Sequence, residues 1–132
     1  MVGVLIITHN QVGKELLASA ETIVGRKTPG ISQISIPGEL KADKLGQYAD
    51  QVKLNIESLE QGDGVLILTD LPGATPSNLA RYFAEDYNVK IVSGINLPML
   101  IRIINYIDQP LELLAEIGIV GANKGIIKED EL

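Results

Sequence analysis

Two short runs without a single polar residue, Val4-Leu5-Ile6-Ile7 and Val65-Leu66-Ile67-Leu68, limit the folds open to this chain. A strand with one wet face alternates apolar and polar side chains. An unbroken apolar run of this length reads instead as a strand buried on both faces, as in a parallel sheet covered by helices on each side. The remaining segments fit that frame. Val12, Leu16, Ala20 and Ile23 recur at helical spacing, widened by Leu17 and Val24, and predict a helix over about Val12 to Val24 that stops at Gly25. Ile31 to Ile36 reads as a second strand with Ile34 and Ile36 on one face, ended by Pro37-Gly38.

Leu45, Tyr48, Val52, Ile56 and Leu59 step by three or four and predict the next helix, which Asp43 helps to start. Gly62-Asp63-Gly64 is a turn into the strand Val65 to Leu68. After the loop Leu71-Pro72-Gly73-Ala74, Thr75 suits an N-cap and Pro76 a first helical position, with the helix expected to run to about Tyr87. Val89 to Val92 is the fourth strand. A helix from about Met99 to Ile107 is apolar almost all round, which leaves two readings: a second subunit covers it, or it is deeply buried within one subunit. Leu111 to about Val120 is the last helix, broken by Gly121, Asn123 and Gly125, and Ile126-Ile127 forms a short final strand or arm.

Strands alternating with helices predict an α/β fold: an open, doubly wound sheet of four parallel strands with helices on both faces. With the order 2-1-3-4, the crevice opens between the first and third strands, and such sheets bind ligands beyond the carboxyl ends of their strands. Those two strands end at His9 and Asp70. His9 is the one histidine in the chain, and imidazole is the side chain that titrates near neutrality. A lone histidine is also compatible with an ordinary surface or core position, and Asp70 with a simple turn. Together at neighbouring strand ends they make a chemical unit. The carboxylate accepts the Nδ1 proton, leaves Nε2 bare as a nucleophile, and steadies positive charge when that nitrogen reacts. Gly73 and Ala74 allow close backbone approach, and the helix start at Thr75 aims N–H groups at an anion such as phosphate. The Thr75 hydroxyl adds a donor or caps the helix. This combination suits phosphoryl transfer onto and off a histidine.

Several classes are set aside. The 132 residues suit one domain, and a composition that is 45% hydrophobic supplies a core. A net charge of −6 argues against nucleic-acid binding. With no cysteine there is no disulfide, thiolate or cysteine-zinc chemistry. No metal or cofactor is expected, since no second histidine or carboxylate cluster stands by His9 and no Walker loop is present. No stretch reaches membrane-spanning length, no signal peptide is evident, and Glu129 to Leu132 reads as an acidic tail, so a cytoplasmic protein without membrane insertion is expected.

Three motifs carry a resemblance: Thr8-His9 after the first strand, Asp70-Leu71-Pro72-Gly73-Ala74-Thr75-Pro76-Ser77-Asn78, and Gly94-Ile95-Asn96-Leu97-Pro98-Met99-Leu100. Together, in this order over nearly the whole chain, they resemble the enzyme IIA domain of the mannose-type bacterial phosphotransferase system. The resemblance implies that His9 accepts a phosphoryl group on Nε2 from the carrier HPr and passes it to a IIB protein. It makes Asp70 the hydrogen-bond partner of His9, and it puts Thr75 where the family usually has a serine near the phosphate. It also implies a homodimer with a carboxyl-terminal strand exchanged between subunits, for which Gly125 to Glu129 is the candidate. Asn10 stands where a glycine is usual, and Leu71-Pro72 replaces a larger, often aromatic pair. The alternatives are a non-enzymatic α/β module that senses a phosphorylated metabolite or docks a regulator, and the phosphotransfer subunit of a dihydroxyacetone kinase.

Overall fold

The structure is a computed structural model and describes residues 1–131; Leu132, the end of the acidic tail, lies outside the described residues. The elements in chain order are β1 (Gly3–His9), α1 (Val12–Val24), β2 (Ile31–Ile36), α2 (Leu45–Leu59), β3 (Val65–Thr69), α3 (Thr75–Tyr82), β4 (Val89–Ser93), α4 (Leu97–Asn105) and α5 (Leu111–Lys124). The four strands form one parallel sheet, as the alternation of strands and helices predicts, and their order is the expected β2-β1-β3-β4.

The apolar runs are apolar because both faces of the sheet are covered. Val4 and Ile6 of β1 join Leu66 and Leu68 of β3 in a core packed against α1, α4 and α5. Leu5 and Ile7 join Val65 and Ile67 in a second core under α2 and α3, together with Ile34 and Ile36 of β2. Each such side chain, fully buried, contributes roughly 1.5–3 kcal/mol. β1 lies at the centre, paired to β2 from Val4 to His9 and to β3 from Gly3 to Ile7.

Helix faces and ends depart from the sequence pattern in specific ways. In α1 Ala20 is buried and Leu16, Leu17 and Val24 pack against the core, as the stripe predicts, but Gly13 is buried too, while Val12 and Ile23 face solvent at 45% and 60% exposure. Gly13 sits on the inner face because a Cβ there would lie 2.7 Å from Ile6 Cγ2 and 2.9 Å from Thr8 Oγ1. Asp43 makes no cap on α2; a 3-10 turn over Ala42–Lys44 feeds the helix instead. Ala74, rather than Thr75, occupies the N-cap of α3, and Thr75-Pro76 open its first turn. That helix ends at Tyr82, not Tyr87. Phe83 and Ala84 donate to the carbonyls of Ala80 and Arg81, tightening the chain into turns as the buried Phe83 anchors it.

α4 starts two residues before Met99, because Asn96 Oδ1 accepts the Met99 N–H at 2.9 Å and caps the helix there. One face is buried within the chain: Met99, Leu100, Ile103 and Ile104 are all at most 2% exposed, packed in the core with residues of α1 and α5, while Leu97, Ile101 and Ile107 are only partly buried. α5 continues through Gly121 to Lys124. Its glycines serve close approach rather than a break: a Cβ at Gly118 would lie 2.8 Å from Ile103 Cδ1, and one at Gly121 2.8 Å from Arg102 Cβ. Beyond it Ile126 and Ile127 pair with no strand among the described residues and stand 77% and 53% exposed, as an arm. No helix among the described residues is long and apolar enough to cross a membrane.

Candidate functional site

β1 and β3 are neighbours, and their carboxyl ends bring His9 and Asp70 together across 61 positions of sequence. Asp70 Oδ2 accepts two hydrogen bonds from the same residue. The His9 backbone N–H reaches it at 3.0 Å, and His9 Nδ1 stands 2.9 Å away. An ionised carboxylate can only accept, so Nδ1 carries the proton in this contact, and in a neutral ring the lone pair is then on Nε2. The two side chains differ in access: His9 is 32% exposed and Asp70 16%. The ring reaches solvent while the group orienting it is largely enclosed. The other carboxylate oxygen, Oδ1, is buried and has no hydrogen-bond partner among the described residues.

The residues just behind His9 hold the strand end. Thr8 is buried, and its Oγ1 accepts the Gly13 N–H at 2.7 Å, joining the end of β1 to the start of α1. At the end of β3, the Thr69 and Ser93 hydroxyls lie 2.7 Å apart and link β3 to β4. The Thr69 carbonyl accepts the N–H groups of both Gly94 and Ile95.

The loop after Asp70 is tied to the helix that follows. Gly73 takes a left-handed φ of 79°, which requires glycine for its backbone rather than for space, since a Cβ there would meet nothing within 4 Å. Its N–H donates to Ser77 Oγ at 3.1 Å, its carbonyl accepts from Asn78 Nδ2 at 3.4 Å, and the Ala74 carbonyl accepts the Asn78 N–H at 2.9 Å. No side chain caps α3, so the N–H groups of its first turn have no side-chain acceptor. Ala74 and Thr75 are half-buried at this helix start, and Thr75 Oγ1 makes no hydrogen bond among the described residues. Sequence reasoning did not single out Ser77, the buried hydroxyl that takes the Gly73 N–H; its place one turn into a Thr-Pro-Ser helix start was the available signal.

A groove of about 1050 Å³ runs between α2 and α3, with Leu45, Ala49, Tyr82 and Phe83 among its lining residues. It touches the loop region only through Thr75 and Asn78 and includes neither His9 nor Asp70. His9 and Asp70 therefore lie outside this groove, at the carboxyl ends of β1 and β3. Among the described residues no group of three or more potential ligands is placed to hold a metal ion.

The chain is similar to several known proteins. The family model EIIA-man, described as the PTS system fructose IIA component, matches residues 3–112. The mannose-specific EIIAB component of Escherichia coli K12 is 29% identical over 103 residues, which cover 76% of this chain and 30% of that protein. The chain thus spans less than a third of the length of that relative. The fructose-specific EIIA component of Bacillus subtilis is 27% identical over 106 residues, covering 80% of this chain and 70% of that protein. Among solved structures, the phosphotransferase system EIIA component of Streptococcus agalactiae superposes with a TM-score of 0.86 at 22% identity, covering 100% of both chains. The PTS IIA protein associated with the fucose utilisation operon of Streptococcus pneumoniae superposes at 0.83 and 25% identity, over 99% of this chain and 98% of that one. The β2-β1-β3-β4 sheet is the fold they share, and the chain belongs to the mannose-type EIIA family of the sugar phosphotransferase system.

Proposed function

We propose that this protein is a phosphohistidine carrier in which His9 accepts a phosphoryl group from phospho-HPr and passes it to a IIB protein. The observation that carries the reading is the double engagement of His9 by Asp70 Oδ2, through the backbone N–H and Nδ1, at the end of a buried strand. The Nε2 lone pair attacks phosphorus, the bond to the donor breaks, and its electron pair leaves with the donor. The ring gains positive charge as the N–P bond forms, and the Asp70 carboxylate offsets it through Nδ1–H. The backbone N–H groups of Gly73, Ala74 and Thr75, with the Thr75 hydroxyl, receive the phosphoryl oxygens. For Gly73 this means giving up its bond to Ser77 Oγ. Transfer to the IIB protein runs the same steps in reverse.

Residues 1–132 act as one phosphocarrier domain, in the cytoplasm and as a homodimer. Support for the dimer comes from the exposed apolar arm at Ile126 and Ile127 and from β4, which ends the sheet as an edge strand onto which an exchanged arm can add. Phosphoenolpyruvate, enzyme I and HPr together are expected to label the protein, with each component required. His9→Ala is expected to abolish the label while the protein stays folded, because the ring is partly exposed and leaves little cavity. Label persisting in that variant rejects the site, and absence of label in the wild type rejects the carrier reading.

A further inference from the structure

Asn10 is the one non-glycine residue with a positive φ among the described residues, at 49°. Asparagine tolerates this left-handed conformation better than most side chains, but glycine does so at lower cost. The backbone alone therefore does not require asparagine here. Its side chain has a specific use in the structure: Asn10 Oδ1 accepts the Gly38 N–H at 3.0 Å. The Asn10 N–H donates to the Ile36 carbonyl at 2.7 Å. Ile36 is the last residue of β2, fully buried, and pairs with His9 in the sheet register. Asn10 thus ties the turn after β1 to the turn after β2 at two points, one inside the sheet ladder and one just beyond it.

His9 lies between this tie and a second one. On the β3 side its backbone N–H and Nδ1 are held by Asp70 Oδ2. On the β2 side the residue that follows it is held by Ile36 and Gly38. We propose that Asn10 is a positioning residue for His9. By fastening the β1–α1 turn to the β2 exit, it fixes the His9 backbone and keeps the ring's Nδ1 on Asp70 and its Nε2 facing outward. This role rests on the reading of His9 as the phosphoacceptor and adds to it a residue that touches neither phosphate nor the ring's partner.

The test compares wild type, Asn10→Gly and Asn10→Asp. Glycine keeps the left-handed turn and removes only the side-chain tie, so this variant folds. Aspartate retains an oxygen for the Gly38 N–H. Two quantities are measured: the ¹⁵N shifts of the His9 ring in the unphosphorylated protein, and the initial rate of labelling by phosphoenolpyruvate, enzyme I and HPr. Asn10→Gly is expected to be labelled about fivefold more slowly, with its ring shifts moved toward an average of the two tautomers. Asn10→Asp is expected to keep the wild-type ring shifts. Either a wild-type rate or wild-type ring shifts in Asn10→Gly overturns the proposal, as does an Asn10→Asp ring signature that follows the glycine variant. If wild type itself takes no label, the phosphoacceptor reading fails, and the ring shifts still decide the positioning role.

Discussion

The backbone N–H of His9 and its ring Nδ1 converge on one oxygen, Oδ2 of Asp70, at 3.0 and 2.9 Å. That oxygen fixes both where the residue sits and which nitrogen carries the proton. Asp70→Asn keeps the size of the group and removes its charge, and the amide can also turn its NH₂ toward the ring and favour the wrong tautomer. We expect labelling to slow by about a hundredfold or more, with the melting temperature nearly unchanged. A variant labelled at the wild-type rate would show that the carboxylate has no part in the chemistry.

Thr75 separates structural from chemical contributions. Its hydroxyl makes no hydrogen bond among the described residues and does not cap α3. Thr75→Ala is therefore expected to alter stability by no more than about 0.5 kcal/mol. Labelling should slow by about tenfold, the effect of losing a hydrogen bond to a charged group. Equal rates in urea-matched, fully folded samples would remove Thr75 from the proposed phosphate site.

Gly13 allows α1 to start directly against β1. Its absent Cβ would stand 2.7 Å from Ile6 Cγ2 and 2.9 Å from Thr8 Oγ1. Gly13→Ala gains helix propensity of up to about 1 kcal/mol but overpacks a buried contact. A net loss of about 1–2 kcal/mol is expected in urea denaturation. A gain in stability would mean that the helix shifts without strain.

Glu21 offers a pH signature. Its carboxylate is held below the usual range by the Thr28 hydroxyl and then by the Thr28 N–H, with Lys27 adding a smaller pull. A group whose folded pKa is depressed stabilises the fold at pH above its unfolded pKa, and the contribution fades as the pH falls through the folded value. Glu21→Gln should therefore be less stable than wild type at neutral pH. The difference should shrink as acid protonates the wild-type carboxyl. Urea midpoints taken at neutral and strongly acidic pH check this; a gap that does not narrow contradicts it.

The arm bears on assembly. Removing residues 126–132 takes away Ile126 and Ile127, which are 77% and 53% exposed on the single chain. Light scattering is expected to show a dimer for the full chain and a monomer for the shortened one. A dimer that survives the deletion places the interface elsewhere.

Much of this fold can be read from one-dimensional pattern because its strands are buried on both sides. Val4 to Ile7 and Val65 to Leu68 have no solvated face to interrupt them, so their positions follow directly. Helix faces are harder to read. Leu16, Ala20 and Val24 face inward as their spacing suggests, yet Val12 and Ile23 of the same stripe face solvent and Gly13 turns inward, since the helix lies close to β1. The glycines of α5 resemble a helix stop for the same reason; their role depends on Arg102 and Ile103 of α4, which the local sequence does not specify. At the site, the pairing of His9 with Asp70 could be inferred from strand ends and topology. The Ser77 bond to Gly73 and the Asn10 bond to Gly38 could not, because each depends on a backbone angle or loop path set only after folding.

Every residue of β1 before His9 is buried, and the strand is bonded to a neighbour along both edges. The imidazole is thus mounted on a strand clamped from both sides. On the proposed reading of His9, cargo mounted this way does not swing between partners. Donor and acceptor would each travel to the same stationary spot, one leaving before the other arrives, so two visitors to one address would carry alike surfaces where they land.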